Sequence, residues 1–469
     1  MAEYKIYTNY YMNLLKTLRP AAVALLGILG LTISVSAQLV DPSIAKSLGV
    51  TQNQINLTTA LLNAPAVNNY IESVGFDADG NLIKAPAGSE AVYNTMSKLG
   101  NLIGEDDYQN LALTKQFANQ LSPGLYTTLP TILFNSANIQ NTQIQQRLWA
   151  VRAGLSQDQE LPPVVDGGKS VTKNDKKVVA PVAEPEQKWV TFVDGNGMWS
   201  QAQSVNNLPG YNTYAGGVQI GASYELLKGL SVGPYVGYQG TKVNFTGANG
   251  GGSSATDNSV RYGLFGEYRK GGWYNDGIVG GAYNSVAVNH GISLSGNGNT
   301  FNSMAKGNVS GGEFDSMYGT GYEFKAGKLT FGPATSLQYT YINLGGTTET
   351  GAGPLNQTIG GQNANSLLYT LGGQASYNCD ITQSVKLQPF ASLAWQHEFL
   401  QNGYNINSSI LGQSYNYGTT NPGRDQYIAG IGGNLVLTKS LSAYAICNLI
   451  NSDAQIFSQA VSGGINFKF

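Results

Sequence analysis

The sequence closes with Val461-Ser-Gly-Gly-Ile-Asn-Phe-Lys-Phe469, and this stretch decides the fold. Val461, Gly463, Ile465, Phe467 and Phe469 fall on one face of an extended chain; Ser462, Gly464, Asn466 and Lys468 fall on the other. A period of two with one apolar side marks a half-buried strand. The final residue is aromatic, where the end of a soluble domain commonly frays. In a closed membrane barrel the last strand pairs with the first, and an aromatic there sits at the lipid interface. The stretch therefore predicts many similar strands upstream.

Working outward, the chain from 188 onward repeats the pattern. Extended stretches are predicted at 189–203, 214–226, 230–238, 260–269, 273–288, 314–324, 329–341, 367–377, 387–399, 427–437, 441–450 and 459–469, each near the ten or so residues that a tilted membrane strand requires. Their connections alternate in length. Short ones fall at 227–229, 270–272, 325–328, 378–385 and 438–440; long ones, rich in Gly, Asn, Ser and Thr, fall at 244–259, 289–312, 343–366 and 400–425. Short turns on one rim and long loops on the other are the outer-membrane pattern, which a soluble sandwich has no reason to follow. The fold expected is mainly β: an antiparallel transmembrane β-barrel of about 12 strands over 188–469, preceded by a short, mostly helical region.

Composition agrees. Charged residues make up only 12% of the 469, with 60 Gly and 28 Tyr, which suits a sheet facing lipid on one side and small polar groups on the other. A net charge of −2 gives no electrostatic case for nucleic acid. Two Cys (Cys379, Cys447) and two His (His290, His397) cannot make a metal cluster at zinc-type spacing, and no cofactor motif is present. The two Cys lie on strands too far apart to pair.

Upstream, Lys5, Lys16 and Arg19 precede an apolar run over 21–35 and then Val35-Ser36-Ala37, the plan of a secretory signal over 1–37 cut after Ala37; Met12 is an alternative start. Entry into the general secretion route follows from it. Residues 38–157 read as helices: Thr51 is a candidate cap for a segment reaching about residue 74, with further segments over 90–102 and 106–121. Ser122-Pro123 reads as a cap with proline at the first helical position, Pro130 as a kink, and Gly154 as a stop. Residues 158–187, with Pro162, Pro163, Pro181 and Pro185 among polar and Lys residues, are a linker.

The chain resembles the translocator end of an autotransporter (type V secretion). The matching pieces are Trp189-Val-Thr-Phe-Val-Asp-Gly-Asn-Gly-Met-Trp199, Gly216-Gly-Val-Gln-Ile-Gly-Ala-Ser-Tyr224, Pro389-Phe-Ala-Ser-Leu-Ala-Trp-Gln-His-Glu-Phe399 and Phe469, with Leu121-Ser-Pro-Gly-Leu-Tyr126, Arg147-Leu148 and Arg152 in a pre-barrel helix. The resemblance implies an outer-membrane pore, through which an N-terminal passenger reaches the surface, and a C-terminal signal, here Ile465, Phe467 and Phe469, read by the barrel-assembly machinery. The family's long β-helical passenger has no counterpart in this sequence; only about residues 38–120 are left for that role. A monomer contacting outer-membrane lipid is expected.

Two functions stay open at this level. One is a translocator that displays its N-terminal segment; the other is a structural or porin-like protein whose N-terminal region plugs the barrel or stays periplasmic. An enzyme is not expected. His397 and Glu398 are successive strand residues on opposite faces. His290, with Ser293 nearby, reads as part of a Gly-rich loop, a poor mount for a catalytic pair. Glu225, Arg261, Glu267, Arg269 and Glu323 point inward by parity, and so do Gly217, Gly221, Gly233 and Gly263, which leave room in the lumen. A barrel of about 12 strands holds roughly one helix, so part of 123–187 is expected to thread it, either 132–152 as a helix or the extended linker.

Overall fold

The protein was analysed as a computed structural model that describes residues 51–65, 90–100, 111–155 and 188–469, apart from 206–207, 248–249, 297, 383–384 and 420–422. The signal segment and the linker lie outside the described residues.

Twelve antiparallel strands form a closed barrel. They are β1 (Trp189–Ala202), β2 (Gly210–Leu227), β3 (Leu230–Thr246), β4 (Ser254–Lys270), β5 (Trp273–Gly296) and β6 (Asn299–Tyr322). The second half comprises β7 (Leu329–Leu344), β8 (Gln362–Tyr377), β9 (Lys386–Glu398), β10 (Asp425–Thr438), β11 (Leu441–Ser452) and β12 (Ile456–Lys468). Each strand pairs with its sequence neighbours, and β12 closes on β1 from Val190 opposite Lys468 to Ala202 opposite Ile456. Trp189 and Phe469 exchange two backbone hydrogen bonds of 2.9 Å, so the seam is laddered to its last residue. Tight turns make one rim; Gly229 and Gly271 take the positive φ that such hairpin turns demand.

The outward face follows the sequence parity. On β5 it runs from Trp273, 57% exposed, through Val279 to Tyr283, 56% exposed, and then turns to Ser285, Ala287 and Asn289. Trp273 to Tyr283 is about the length of one membrane strand. Yet β5 and β6 each run 24 residues. The stretch 289–312, expected as a loop, is therefore mostly the upper part of this hairpin, paired from Val288 opposite Gly307 to Gly296 opposite Asn299. The strands continue above the lipid, where their outer face no longer has to be apolar. A barrel with no free edge gives no starting point for unravelling. In sodium dodecyl sulfate the folded protein will accordingly run at a different apparent mass before and after boiling; identical mobility would contradict a closed barrel.

Above the long-loop rim stands a small sheet of four short strands, in the order Gln413–Gly418, Asn405–Ile410, Gln357–Ile359 and Thr347–Thr348. Among the described residues, four helices precede the barrel: α1 (Gln52–Asn63), α2 (Glu90–Gly100), α3 (Leu111–Gln120) and α4 (Gly124–Leu155). Thr51 and Gln54 form a capping box at the start of α1. Ser122 does not cap α4 as expected; its hydroxyl donates back to Asn119 O (2.8 Å) and finishes α3.

Candidate functional site

The barrel lumen is occupied by α4, 32 residues long and so about 48 Å, enough to run its full height. Of the two segments expected to compete for the lumen, the helix holds it. Its first half is apolar. Leu125, Leu129, Ile132, Leu133 and Phe134 are buried against Val243, Phe245, Val286, Val309, Ile342 and Leu344 of the upper wall. Pro130 lies within the helix and does not end it. Proline has no N–H for the carbonyl four residues back, at Tyr126. The wall supplies that donor: Gln362 Nε2 reaches Tyr126 O at 3.1 Å.

Beside this point lies His290, which is no loop residue but sits on β5, 2% exposed. Its Nε2 is 2.8 Å from Gln120 O, which can only accept, so Nε2 carries hydrogen. Its Nδ1 is 3.0 Å from Glu349 Oε1. Tyr126 OH also donates to Glu349 Oε1 (3.0 Å), and Gln357 N donates to Glu349 Oε2 (3.0 Å). This network ties α3, α4, β5 and the small sheet together. Within that sheet, burial drives the Tyr415 phenol well above its ordinary pKa, with the Glu349 charge adding to it. Tyr415 thus stays a donor, to Gln357 Oε1 at 2.5 Å.

The second half of α4 is polar and then basic. Gln143 Nε2 donates to Gly195 O, Gln143 Oε1 accepts from Gln219 and Asn196, and Gln146 Oε1 accepts from Ser462. Asn141 Nδ2 donates to Asp315 Oδ1 (2.8 Å). Asp315 in turn pairs with Arg261 (2.6 Å), whose other nitrogen bonds Glu313. Arg147, 1% exposed, lies flat between Phe192 and Phe265, 3.9 and 4.5 Å from the ring centres. Near the short-turn rim Arg152 meets Glu267 (2.5 Å), Asp276 (3.1 Å) and Glu323 (3.2 Å) and stacks 3.8 Å over Tyr274. Guanidinium groups suit this work because their flat fork serves several carboxylates and a ring face together. The groups that Arg147 and Arg152 meet, Phe192, Phe265, Glu267, Asp276 and Glu323, lie on β1, β4 and β5 or just beyond β6; across the lumen Trp149 packs on Phe390 (4.3 Å between ring centres) and Asn434 Nδ2 donates to Ala150 O (3.0 Å).

Cavities remain beside the helix. Thr142, Gln145 and Gln146 of α4 face Ser336, Thr370, Gly372 and Ser392 across a cavity of about 130 Å³. A second gap of about 60 Å³ lies above it, between Asn135 and Asn138 and the wall residues Gln338, Ser366 and Glu398. Both have polar side chains in their lining and are large enough for water, and Trp149, Leu393 and Ile446 give the first an apolar side. Among the described residues no three His, Cys, Asp or Glu side chains are grouped to hold a metal ion.

A barrel plugged by its own upstream helix is one observation; the family match decides the identity. Residues 191–446, more than half of the chain, match the autotransporter β-domain. The chain belongs to the autotransporter β-domain family. Its barrel is therefore an outer-membrane barrel of transport type. Among solved structures, the translocator domain of the autotransporter NalP from Neisseria meningitidis is similar over 73% of this chain and 100% of its own, at 14% identity and a TM-score of 0.49. For the β-domain of the Bordetella autotransporter BrkA the shares are 60% and 100%, at 16% identity and a TM-score of 0.42. For the transport unit of AIDA-I from Escherichia coli they are 62% and 93%, at 17% identity and a TM-score of 0.39. No curated protein matches.

In this autotransporter the five inward candidates divide. Arg261 and Glu267 are buried in the ion clusters, and Glu323 pairs with Arg152. Arg269 bonds Glu267 (2.8 Å) at the wall, and Glu225 accepts from Gly229 N (2.9 Å), serving its own turn and not α4. The room at two of the inward glycines goes to wall aromatics: a Cβ on Gly221 would strike the Phe192 ring at 2.5 Å, and one on Gly263 the Tyr235 ring at 2.7 Å; Gly217 and Gly233 instead lie against Gln239 and the Ala222 backbone, and it is Gly319 that gives room to the helix, at Gln145 Nε2 (2.6 Å). Asp276, Glu313 and Asp315 were not singled out from the sequence, although strand parity puts them inward. His397 and Trp395 both reach Asp425 Oδ1, at 2.9 and 2.8 Å, while Glu398 turns inward and accepts from Leu367 N and Leu400 N.

Ile465, Phe467 and Phe469 face outward on β12, 44, 47 and 61% exposed, available to an assembly factor or to lipid. Deleting Phe469 is expected to lower membrane-inserted protein several-fold while signal cleavage proceeds. Immunoblots of membrane fractions measure this, and wild-type insertion after the deletion would refute the role.

Proposed function

We propose that this autotransporter barrel carries its short N-terminal region across the outer membrane and keeps it there as a folded cap, with α4 as the plug. The observation that carries the reading is the direction of α4. Its basic end sits at the short-turn rim, where β1 also begins, and its first residues sit at the long-loop rim. Short turns belong on the periplasmic side. Residues upstream of Gly124 then lie outside the cell, where α1 and α3 pack on the small sheet and on β5. The contacts of this region with the barrel are those of a folded assembly, not of a strand in transit.

Protease shaving of intact cells tests this. Peptides from about 66–110 are expected in the supernatant before lysis. Their appearance only after lysis would favour a plug whose upstream region remains periplasmic.

A further inference from the structure

The strand Gln413–Gly418 is an edge: among the described residues it pairs with Asn405–Ile410 on one side and with no strand on the other. In an antiparallel ladder the N–H and C=O of one residue point the same way, and successive residues alternate. Helix α1 occupies the outer side. Asn53 Nδ2 donates to Gly418 O (2.5 Å), and Gly418 N donates back to Asn53 Oδ1 (2.9 Å). Asn56 Nδ2 donates to Asn416 O (2.8 Å). Gly418 and Asn416 therefore aim away from the hairpin, and Ser414 does so by alternation. Asn53 supplies what a neighbouring strand residue would: one donor and one acceptor to a single residue. A helix cannot continue that ladder, so its cover is partial.

Exposed edges are normally blunted by charge or proline. The hairpin over 405–418 reads Asn-Ile-Asn-Ser-Ser-Ile-Leu-Gly-Gln-Ser-Tyr-Asn-Tyr-Gly, with neither. Its edge strand is also symmetric about one residue, as Tyr415-Asn416-Tyr417. A second copy laid antiparallel across a two-fold axis at Asn416 sets Asn416 against itself, Tyr415 against the other Tyr417, and Ser414 against Gly418. The outward groups of 414, 416 and 418 then meet in one ladder, a closed contact that needs one strand type only. We propose that Gln413–Gly418 is a self-pairing edge for a second copy of this chain, and that α1 is the cover that keeps the barrel monomeric.

The test measures the protein mass of the full secreted chain in detergent by light scattering over a range of concentrations. Two uncovered forms are compared with the parent: Asn53→Ala with Asn56→Ala, and a chain lacking 51–65. Heat-dependent gel mobility reports that each barrel is folded. The parent is expected to stay at single mass, and at least the chain lacking 51–65 to double in mass as concentration rises. Adding Asn416→Pro removes an N–H that faces only the edge, so it is expected to restore single mass while sparing the hairpin. A parent already at double mass would overturn the covering role of α1. Single mass for both uncovered forms, or doubling that survives Asn416→Pro, would overturn the self-pairing edge.

Discussion

A chain beginning at Lys188 will form a barrel that conducts at least several-fold better in planar bilayers than the full secreted chain. The reason is volume. An α-helix with its side chains is about 10–12 Å across, and its removal leaves a bore of about that width. With α4 present, cavities of about 130 and 60 Å³ lie beside it on the β7–β11 side. The full chain is accordingly expected to pass a small current, not none. Equal conductance from two barrels of equal heat-dependent mobility would show that α4 does not block the path.

Replacing Arg152 by Ala is expected to loosen the plug more than any other single change in α4. Arg152 is 3% exposed and meets three carboxylates, of which Glu267 and Asp276 are themselves buried. Without it, Glu267 keeps its bond to Arg269, while Asp276 and Glu323 lose their contact with a guanidinium on α4. Leaving buried charges unpaired costs on the order of 3–5 kcal/mol. The temperature at which gel mobility changes will fall, and bilayer recordings will show bursts towards the conductance of the chain beginning at Lys188. Arg152→Lys will fall between the two, because a single ammonium cannot reproduce the fork. Unchanged recordings for Arg152→Ala would move the anchor to Arg147 and its two rings.

The barrel was legible in the sequence because lipid enforces parity. Tyr262 and Leu264 outward with Arg261 and Phe265 inward is an arrangement that a solvated wall need not keep. Where that constraint lapses, the sequence misleads. Beyond Tyr283 the outward residues of β5 turn small and polar, which reads as a loop and concealed His290 on a strand. What changes there is the surroundings, not the backbone. The plug was ambiguous for a related reason. A helix enclosed on all sides has no single apolar stripe: in 124–134 the polar Thr127, Thr128 and Thr131 are buried along with the apolar residues, and 140–146 is polar but for the buried Ile144. The partners of Arg152 lie more than a hundred residues away, beyond the reach of any local pattern.

The tall β5–β6 hairpin also determines how this protein meets its surroundings. About 13 residues of β5 rise beyond Tyr283, and at about 3.3 Å each and a tilt near 40° they carry the tip of this hairpin roughly 30 Å above that residue. The rim is therefore lopsided, because β9 to β12 run only 12 to 14 residues where β5 and β6 run 24. A molecule moving along the membrane surface meets a polar screen on the tall side and a low sill on the other, so the plugged opening with its helical cap has a preferred direction of approach.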